Sequence, residues 1–199
     1  GNSVVVTPPE IASLSLLRLA QLASEAGLPE GVLNVVTGRG ATAGEALGLH
    51  MDVDVIAFTG SGVVGRRLLE YAGRSNLKRV YLELGGKSPN IVFADAPDIR
   101  QAAKVSANGI FRNSGQVCVA GSRLLVQSSI YDRFLDELLA VTARLKVGDP
   151  LDMGSDIGAV SSAAQLRKNL DFVARTEEEG GRLLCGGTRL HAETGGYYM

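Results

Sequence analysis

The 199-residue chain is 45% hydrophobic and 21% charged, which allows a sizeable buried core and places it with ordinary globular chains rather than disordered or fibrous ones. Twenty Lys and Arg against 21 Asp and Glu leave a formal charge of −1, and no basic block could follow a phosphate backbone, so nucleic acid is not an expected partner. No apolar run approaches the roughly 20 residues needed to cross a bilayer, no leader pattern opens the chain, and two cysteines, Cys118 and Cys185, cannot build a disulfide framework, so a soluble cytoplasmic protein with free thiols and no membrane partner is expected.

Short β-branched runs alternate with amphipathic stretches, which predicts an α/β fold of parallel strands joined by crossover helices. Residues 3–6 read as a strand. Thr7-Pro8-Pro9-Glu10 then opens a helix with Ile11, Leu14, Leu17 and Leu22 near one face, ended by Gly27. A strand at 32–36, a helix at 42–49, a buried strand at 54–58, a helix at 63–71 and a strand at 78–84 come next. Beyond Gly85-Gly86 the text reads as a strand at 90–93, a helix from Pro97 to about Asn113, and a strand at 122–126. An amphipathic helix at 131–145, a Gly/Asp/Pro/Met loop at 148–158, a polar helix near 162–179 and a short strand at 182–185 complete it. A domain boundary is expected at 84/85. The chain opens on Gly1 and stops at Met199 just where Gly195-Gly196 leads into a strand, so it reads as an internal piece of a longer protein.

Gly60-Ser61-Gly62-Val63-Val64-Gly65 is a literal G-x-G-x-x-G between a strand and a helix, the setting in which a dinucleotide pyrophosphate can rest on a helix N-terminus. A tight strand-to-helix turn without ligand fits the same residues. A ribose-binding carboxylate about 20 positions on is part of the dinucleotide pattern, and Glu83 occupies that slot. Glu10 is a second ribose candidate, although Thr7-x-x-Glu10 also reads as a capping box in which Glu10 only satisfies a backbone N–H.

Cys118 lies just beyond a helix end in Asn113-Ser114-Gly115-Gln116-Val117-Cys118, a small and polar stretch that is a poor place for a core thiol. A nucleophilic role there needs backbone donors, a dipole or a base, because a free thiol ionises only near pH 8.5. Cys185, at the end of an apolar run before Gly186-Gly187, reads as a buried, inert thiol. Glu83 interrupts the apolar strand end Val80-Tyr81-Leu82-Glu83-Leu84 at the carboxyl edge where ligands of open α/β sheets gather. A carboxylate buried there is either functional or bonded to loop amides.

Glu83-Leu84-Gly85-Gly86-Lys87-Ser88-Pro89, followed by Gly115-Gln116-Val117-Cys118 with Cys118 placed 35 residues after Glu83, resembles the aldehyde dehydrogenase superfamily. Phe58-Thr59-Gly60-Ser61 with Gly65 is similar to that family's cofactor turn, and Gly1-Asn2-Ser3-Val4-Val5 with Pro8 and Glu10 to the strand and helix start before it. The resemblance runs the length of the chain. It implies a Rossmann-like cofactor domain, of which 1–84 is the C-terminal part, followed at 85–199 by the N-terminal part of the thiol-bearing catalytic domain. It implies that Cys118 is the nucleophile and Glu83 the base that activates water. It also puts Glu10 and Thr7 at the adenosine ribose, Gly60, Ser61 and Gly65 at the pyrophosphate turn, and Leu84 at the nicotinamide. A small aldehyde substrate, NAD in preference to NADP, no metal and a homo-oligomeric full-length protein are implied by the same resemblance.

Thr7 stands where the family usually has a lysine, and Gly62 where it commonly has a β-branched or polar residue. The family's oxyanion-hole asparagine would lie before Gly1 and its second ribose glutamate after Met199, so the chain alone is expected to be inactive. Within the family, residues 75–130 look most like bacterial enzymes of polyamine catabolism that act on γ-glutamyl-γ-aminobutyraldehyde and related aminoaldehydes, with betaine aldehyde and simple aliphatic aldehydes as the alternatives and a CoA-acylating relative disfavoured by Glu83. Two other classes compete. A non-catalytic copy of the fold would have no physical need for both Cys118 and Glu83, and a conventional Rossmann dehydrogenase would give Glu83 to the ribose and no role to Cys118.

Overall fold

Every strand pair in this protein is parallel and encloses a crossover helix. The computed structural model describes residues 1–199, which divide into two units, Gly1–Leu84 and Gly85–Met199. The α/β reading holds, and its strands form three separate two-stranded sheets.

In the first unit, β1 (Val4–Val6) pairs with β2 (Leu33–Val35), Val4 opposite Leu33, with α1 (Leu14–Glu25) between them. Helix α1 begins later than predicted. Pro9 disfavours helical geometry at Pro8 before it, and a separate turn, closed by the Ala12 N–H on the Pro9 carbonyl at 3.0 Å, comes before the helix. The half-buried face of α1 is Leu16, Ala20 and Ala23, whereas Ile11, Leu14, Leu17 and Leu22 are exposed. Leucine occurs on every side of this helix, so apolar spacing alone could not choose the face. Gly27 lies just past α1 at φ +90°, the left-handed geometry that glycine adopts freely past a helix end.

Residues 40–44 form a π-helical turn that runs into the short α2 (Glu45–Leu49), where one helix at 42–49 was expected. Strand β3 (Val55–Gly60) pairs with β4 (Arg79–Leu84), from Val55 opposite Arg79 to Gly60 opposite Leu84. Burial in β3 alternates, with Val55 and Ala57 exposed and Ile56 and Phe58 half-buried, so the strand read as buried presents one open face. Helix α3 (Gly62–Gly73) connects the two, and its buried residues Gly65, Leu68 and Ala72 recur at the three- and four-residue spacing of one helix face. Lys78 is buried without a carboxylate partner, its Nζ donating to the Gly48 carbonyl at 2.6 Å and to Ser75 Oγ at 2.7 Å.

In the second unit, β5 (Pro89–Val92) pairs with β6 (Arg123–Val126) around α4 (Ile99–Phe111). Helix α4 starts at Ile99 because Asp98 caps it, its side chain accepting the Gln101 N–H at 3.0 Å. Helix α5 (Tyr131–Thr142) covers this layer with Phe134, 1% exposed, packed in one cluster with Val92, Ile99 and Ala103. Helix α6 (Ala163–Glu178) is capped by Ser162 and buries Leu166. The strand expected at 182–185 does not form, and Cys185, expected to be buried, is exposed. Four residues before a glycine pair supply apolar character but no neighbouring strand for the backbone to pair with.

Candidate active site

Strands β3 and β4 end together, which collects five of the sequence-predicted residues at one edge of the first unit. Gly60 is register partner to Leu84, and Thr59 to Glu83. Ser61 caps α3, its hydroxyl accepting the Val64 N–H at 3.3 Å while the Gly65 N–H reaches the Ser61 carbonyl at 3.0 Å. Helix geometry leaves the Gly62 and Val63 N–H groups without intrahelical acceptors, the partial positive charge on which an anion settles. Gly65 faces β4 so closely that a Cβ there would sit 3.1 Å from Leu84 Cδ2 and 3.3 Å from Leu82 Cδ1. The literal G-x-G-x-x-G thus has a physical reason at its last glycine, which lets α3 lie directly on the strand.

Glu83 is exposed rather than buried as its sequence setting suggested. The pleat of β4 puts Val80 and Leu82 toward the half-buried side and Arg79, Tyr81 and Glu83 on the other, so the carboxylate projects from the face that α3 does not cover.

Thr7 and Glu10 lie beyond the carboxyl end of β1. The capping box they could have formed is absent: Thr7 Oγ1 is buried without a hydrogen-bond partner, and Glu10 Oε1 accepts the Gly40 N–H at 3.2 Å instead. Glu10 is exposed, so its second oxygen is open to a further donor. Glu10 thus presents an exposed carboxylate beyond the carboxyl end of a parallel strand, where ligands of open α/β sheets gather.

Cys118 belongs to the second unit and is an exposed free thiol. It sits in a turn closed by the Ala120 N–H on the Val117 carbonyl at 3.1 Å, and its own N–H makes no hydrogen bond within the chain. Gly86 runs alongside, where a Cβ would lie 3.8 Å from the Cys118 carbonyl oxygen. Ahead of the turn, Asn113, Ser114 and Gly115 are all left-handed, with φ of 53°, 56° and 73°. Beyond it, the Gly121 N–H returns to the Gly109 carbonyl at 3.3 Å.

The sequence reading gave no role to two side chains shortly before the thiol in the chain. Ser114 Oγ donates to the Gly158 carbonyl at 2.8 Å, and Gln116 Oε1 accepts the Ser161 N–H at 3.0 Å. The signal was present in the order Asn-Ser-Gly, three residue types that enter left-handed geometry most readily or favour turns.

Known proteins give a consistent comparison. The sequence model of the aldehyde dehydrogenase family matches residues 1–199. The NADP/NAD-dependent aldehyde dehydrogenase PuuC of Escherichia coli (strain K12) is 53% identical over 186 residues, covering 94% of this chain and 38% of that protein. An indole-3-acetaldehyde dehydrogenase in complex with NAD+ superposes with a TM-score of 0.97 at 52% identity, over 100% of this chain and 40% of that one. The γ-glutamyl-γ-aminobutyraldehyde dehydrogenase from Burkholderia cenocepacia J2315 does so with a TM-score of 0.95 at 51% identity, again over 100% and 40%. The chain therefore spans 38% to 40% of the length of these relatives.

Proposed function

The chain belongs to the aldehyde dehydrogenase family, and from that premise we propose that it carries the nucleophile, the water-activating base and part of the dinucleotide cradle of an enzyme oxidising an aldehyde to a carboxylic acid. The observation that carries this reading is the exposed Cys118 thiol, held in a closed turn with its own N–H unspent. Cys118 Sγ, as thiolate, adds to the aldehyde carbon. The Cys118 N–H donates to the oxygen that becomes negative at that moment, charge that exists only during reaction and is therefore worth stabilising. Loss of hydride from the same carbon leaves a thioester on Sγ. Glu83 then takes a proton from water at a carboxylate oxygen, the resulting hydroxide attacks the thioester carbon, and the acid departs as the thiolate returns.

The residues at the ends of β1, β3 and β4 fit a nicotinamide dinucleotide. Glu10 and Thr7 would hold the adenosine ribose, the Gly60 to Gly65 turn its pyrophosphate, and Leu84 would lie by the nicotinamide. When bound, that group supplies the hydride acceptor. Glu10 would repel a 2′-phosphate and Thr7 offers it no cation, so NAD is favoured over NADP.

An aminoaldehyde is the finer reading of the substrate, supported by the character of residues 75–130 and by the similarity to PuuC and the γ-glutamyl-γ-aminobutyraldehyde dehydrogenase. The whole protein acts in the cytoplasm as a homo-oligomer in this reading, and the 199 residues alone are inactive. Their accessible surface is 13801 Å², against about 8,900 Å² for a folded monomer of this mass. Exposed Leu14, Val55, Tyr81 and Leu125 belong to that surplus, which further protein would cover.

The test is NADH formation by the full-length protein with an aminoaldehyde, beside Cys118→Ala and Glu83→Gln. Cys118→Ala abolishes turnover, and Glu83→Gln lowers it by at least about 100-fold while an acyl group accumulates on Cys118, seen as added mass. A folded full-length protein that reduces NAD with no aldehyde ends the reading.

A further inference from the structure

We propose that Ser114 and Gln116 are positioning residues for Cys118, forming a two-point strap that fastens the thiol-bearing loop to the backbone at 158–161. The inference rests on Cys118 being the nucleophile.

Asn113 and Ser114 are consecutive non-glycine residues at positive φ, a geometry that L-residues avoid because Cβ crowds the following carbonyl. Two in a row do not persist unless surrounding contacts impose them. The contacts here are specific. Ser114 Oγ reaches the carbonyls of Gly158 at 2.8 Å and Ala159 at 3.4 Å. Two residues on, Gln116 Oε1 takes the Ser161 N–H at 3.0 Å. The loop also closes on itself, with Asn113 Nδ2 donating to the Gln116 carbonyl at 3.1 Å, Gln116 Nε2 to the Asn113 carbonyl at 3.3 Å, and the Gln116 N–H to that same carbonyl at 3.0 Å.

The surface receiving the strap is itself fixed. Val160 is buried and its N–H bonds to the Tyr197 carbonyl at 2.9 Å, while Ile157 bridges to Val147 and accepts the Gly148 N–H at 2.9 Å. Ser114 and Gln116 come four and two residues before Cys118, so the direction in which the chain leaves Gly115 decides where the Val117–Ala120 turn points its thiol. Family-typical sequence puts a cysteine in this loop, whereas the strap determines its aim. A nucleophile displaced by about 1 Å loses on the order of 100-fold in rate, and binding of a ligand held elsewhere is untouched.

Ser114→Gly is the decisive variant, because glycine keeps the left-handed backbone at no steric cost while removing the hydroxymethyl group that bonds Gly158 and Ala159. Gln116→Met cuts the second point. In the full-length protein, each lowers kcat about 10- to 100-fold with KM for aldehyde and NAD changed less than about threefold. Iodoacetamide gives a readout independent of turnover, with the exposed Cys185 as internal standard: the ratio of Cys118 to Cys185 alkylation rates shifts at least about threefold in both variants, since reactivity depends on the thiol's surroundings. If Ser114→Gly leaves both kcat and this ratio within twofold of wild type, the strap is overturned, and this variant decides alone where Gln116→Met does not fold. If wild type oxidises no aldehyde, the proposed function fails separately, and the alkylation ratio still decides whether the strap sets the thiol.

Discussion

Enlarging Gly65 probes the proposed dinucleotide cradle through geometry that the structure makes numerical. A Cβ at this position would lie 3.1 Å from Leu84 Cδ2 and 3.3 Å from Leu82 Cδ1, tighter than ordinary contact at both. Gly65→Ala gains up to about 1 kcal/mol of helix propensity and loses roughly 1–3 kcal/mol to overpacking, so the net cost is about 0–3 kcal/mol. Gly65→Val adds two further carbons on the side facing two leucines, and α3 must lift off β4 at its first turn. That lift carries the Gly62 and Val63 N–H groups away from the end of β3. An anion at a helix N-terminus gains about 0.3–2 kcal/mol from them, and a backbone bond to a charged oxygen about 1.5–3 kcal/mol. Gly65→Val should therefore weaken NAD binding at least tenfold, equivalent to about 1.4 kcal/mol, and Gly65→Ala by less. Calorimetric titration of the full-length protein with NAD measures this, and circular dichroism checks that the variant is folded. A folded Gly65→Val protein that binds NAD within twofold of wild type would refute the assignment of this turn to the pyrophosphate.

Two further expectations concern the second unit. Phe134→Ala empties the one large side chain that is fully buried and should cost about 3–5 kcal/mol, read from the urea midpoint at constant slope; a loss under 1 kcal/mol would mean that α5 does not seal this core. Ser106→Ala leaves Asn90 Nδ2, now 2.9 Å from the buried Ser106 hydroxyl, without its acceptor and should cost about 1–3 kcal/mol, whereas Ser106→Thr, which keeps the oxygen, should recover part of that loss.

The strands were legible because each is a short, largely apolar run between turn residues, β-branched throughout in β1, and the helices between them implied the parallel order. The glycine turn and its helix were placed nearly to the residue, since Ser61 both ends an extended run and caps the helix after it. Boundaries failed where two local rules compete. Thr7-x-x-Glu10 satisfies the spacing of a capping box, yet the prolines between them delayed the helix to Leu14. Burial was harder to read than secondary structure. Glu83 and Cys185 were judged by their apolar sequence neighbours, but in β4 alternate residues face opposite ways, and at 182–185 no element packs on the segment. The strap from Ser114 and Gln116 joins positions 44 and 45 residues apart, and no local pattern announces a pairing of that range.

The three parallel pairs also bear on how the chain folds. Their registers join Val4 to Leu33, Val55 to Arg79 and Pro89 to Arg123, closures of similar length whose entropic costs differ by only about 0.3 kcal/mol. Topology thus gives none of them a head start, and none can form as a quick hairpin. The order of assembly falls to whichever crossover helix finds a partner earliest. Within the second unit, helix α4, capped by Asp98 and packed in one cluster with Phe134 of the helix that follows β6, is expected to form ahead of its strand pair, and φ-values near zero at Ile99 and Ala103 would refute that order.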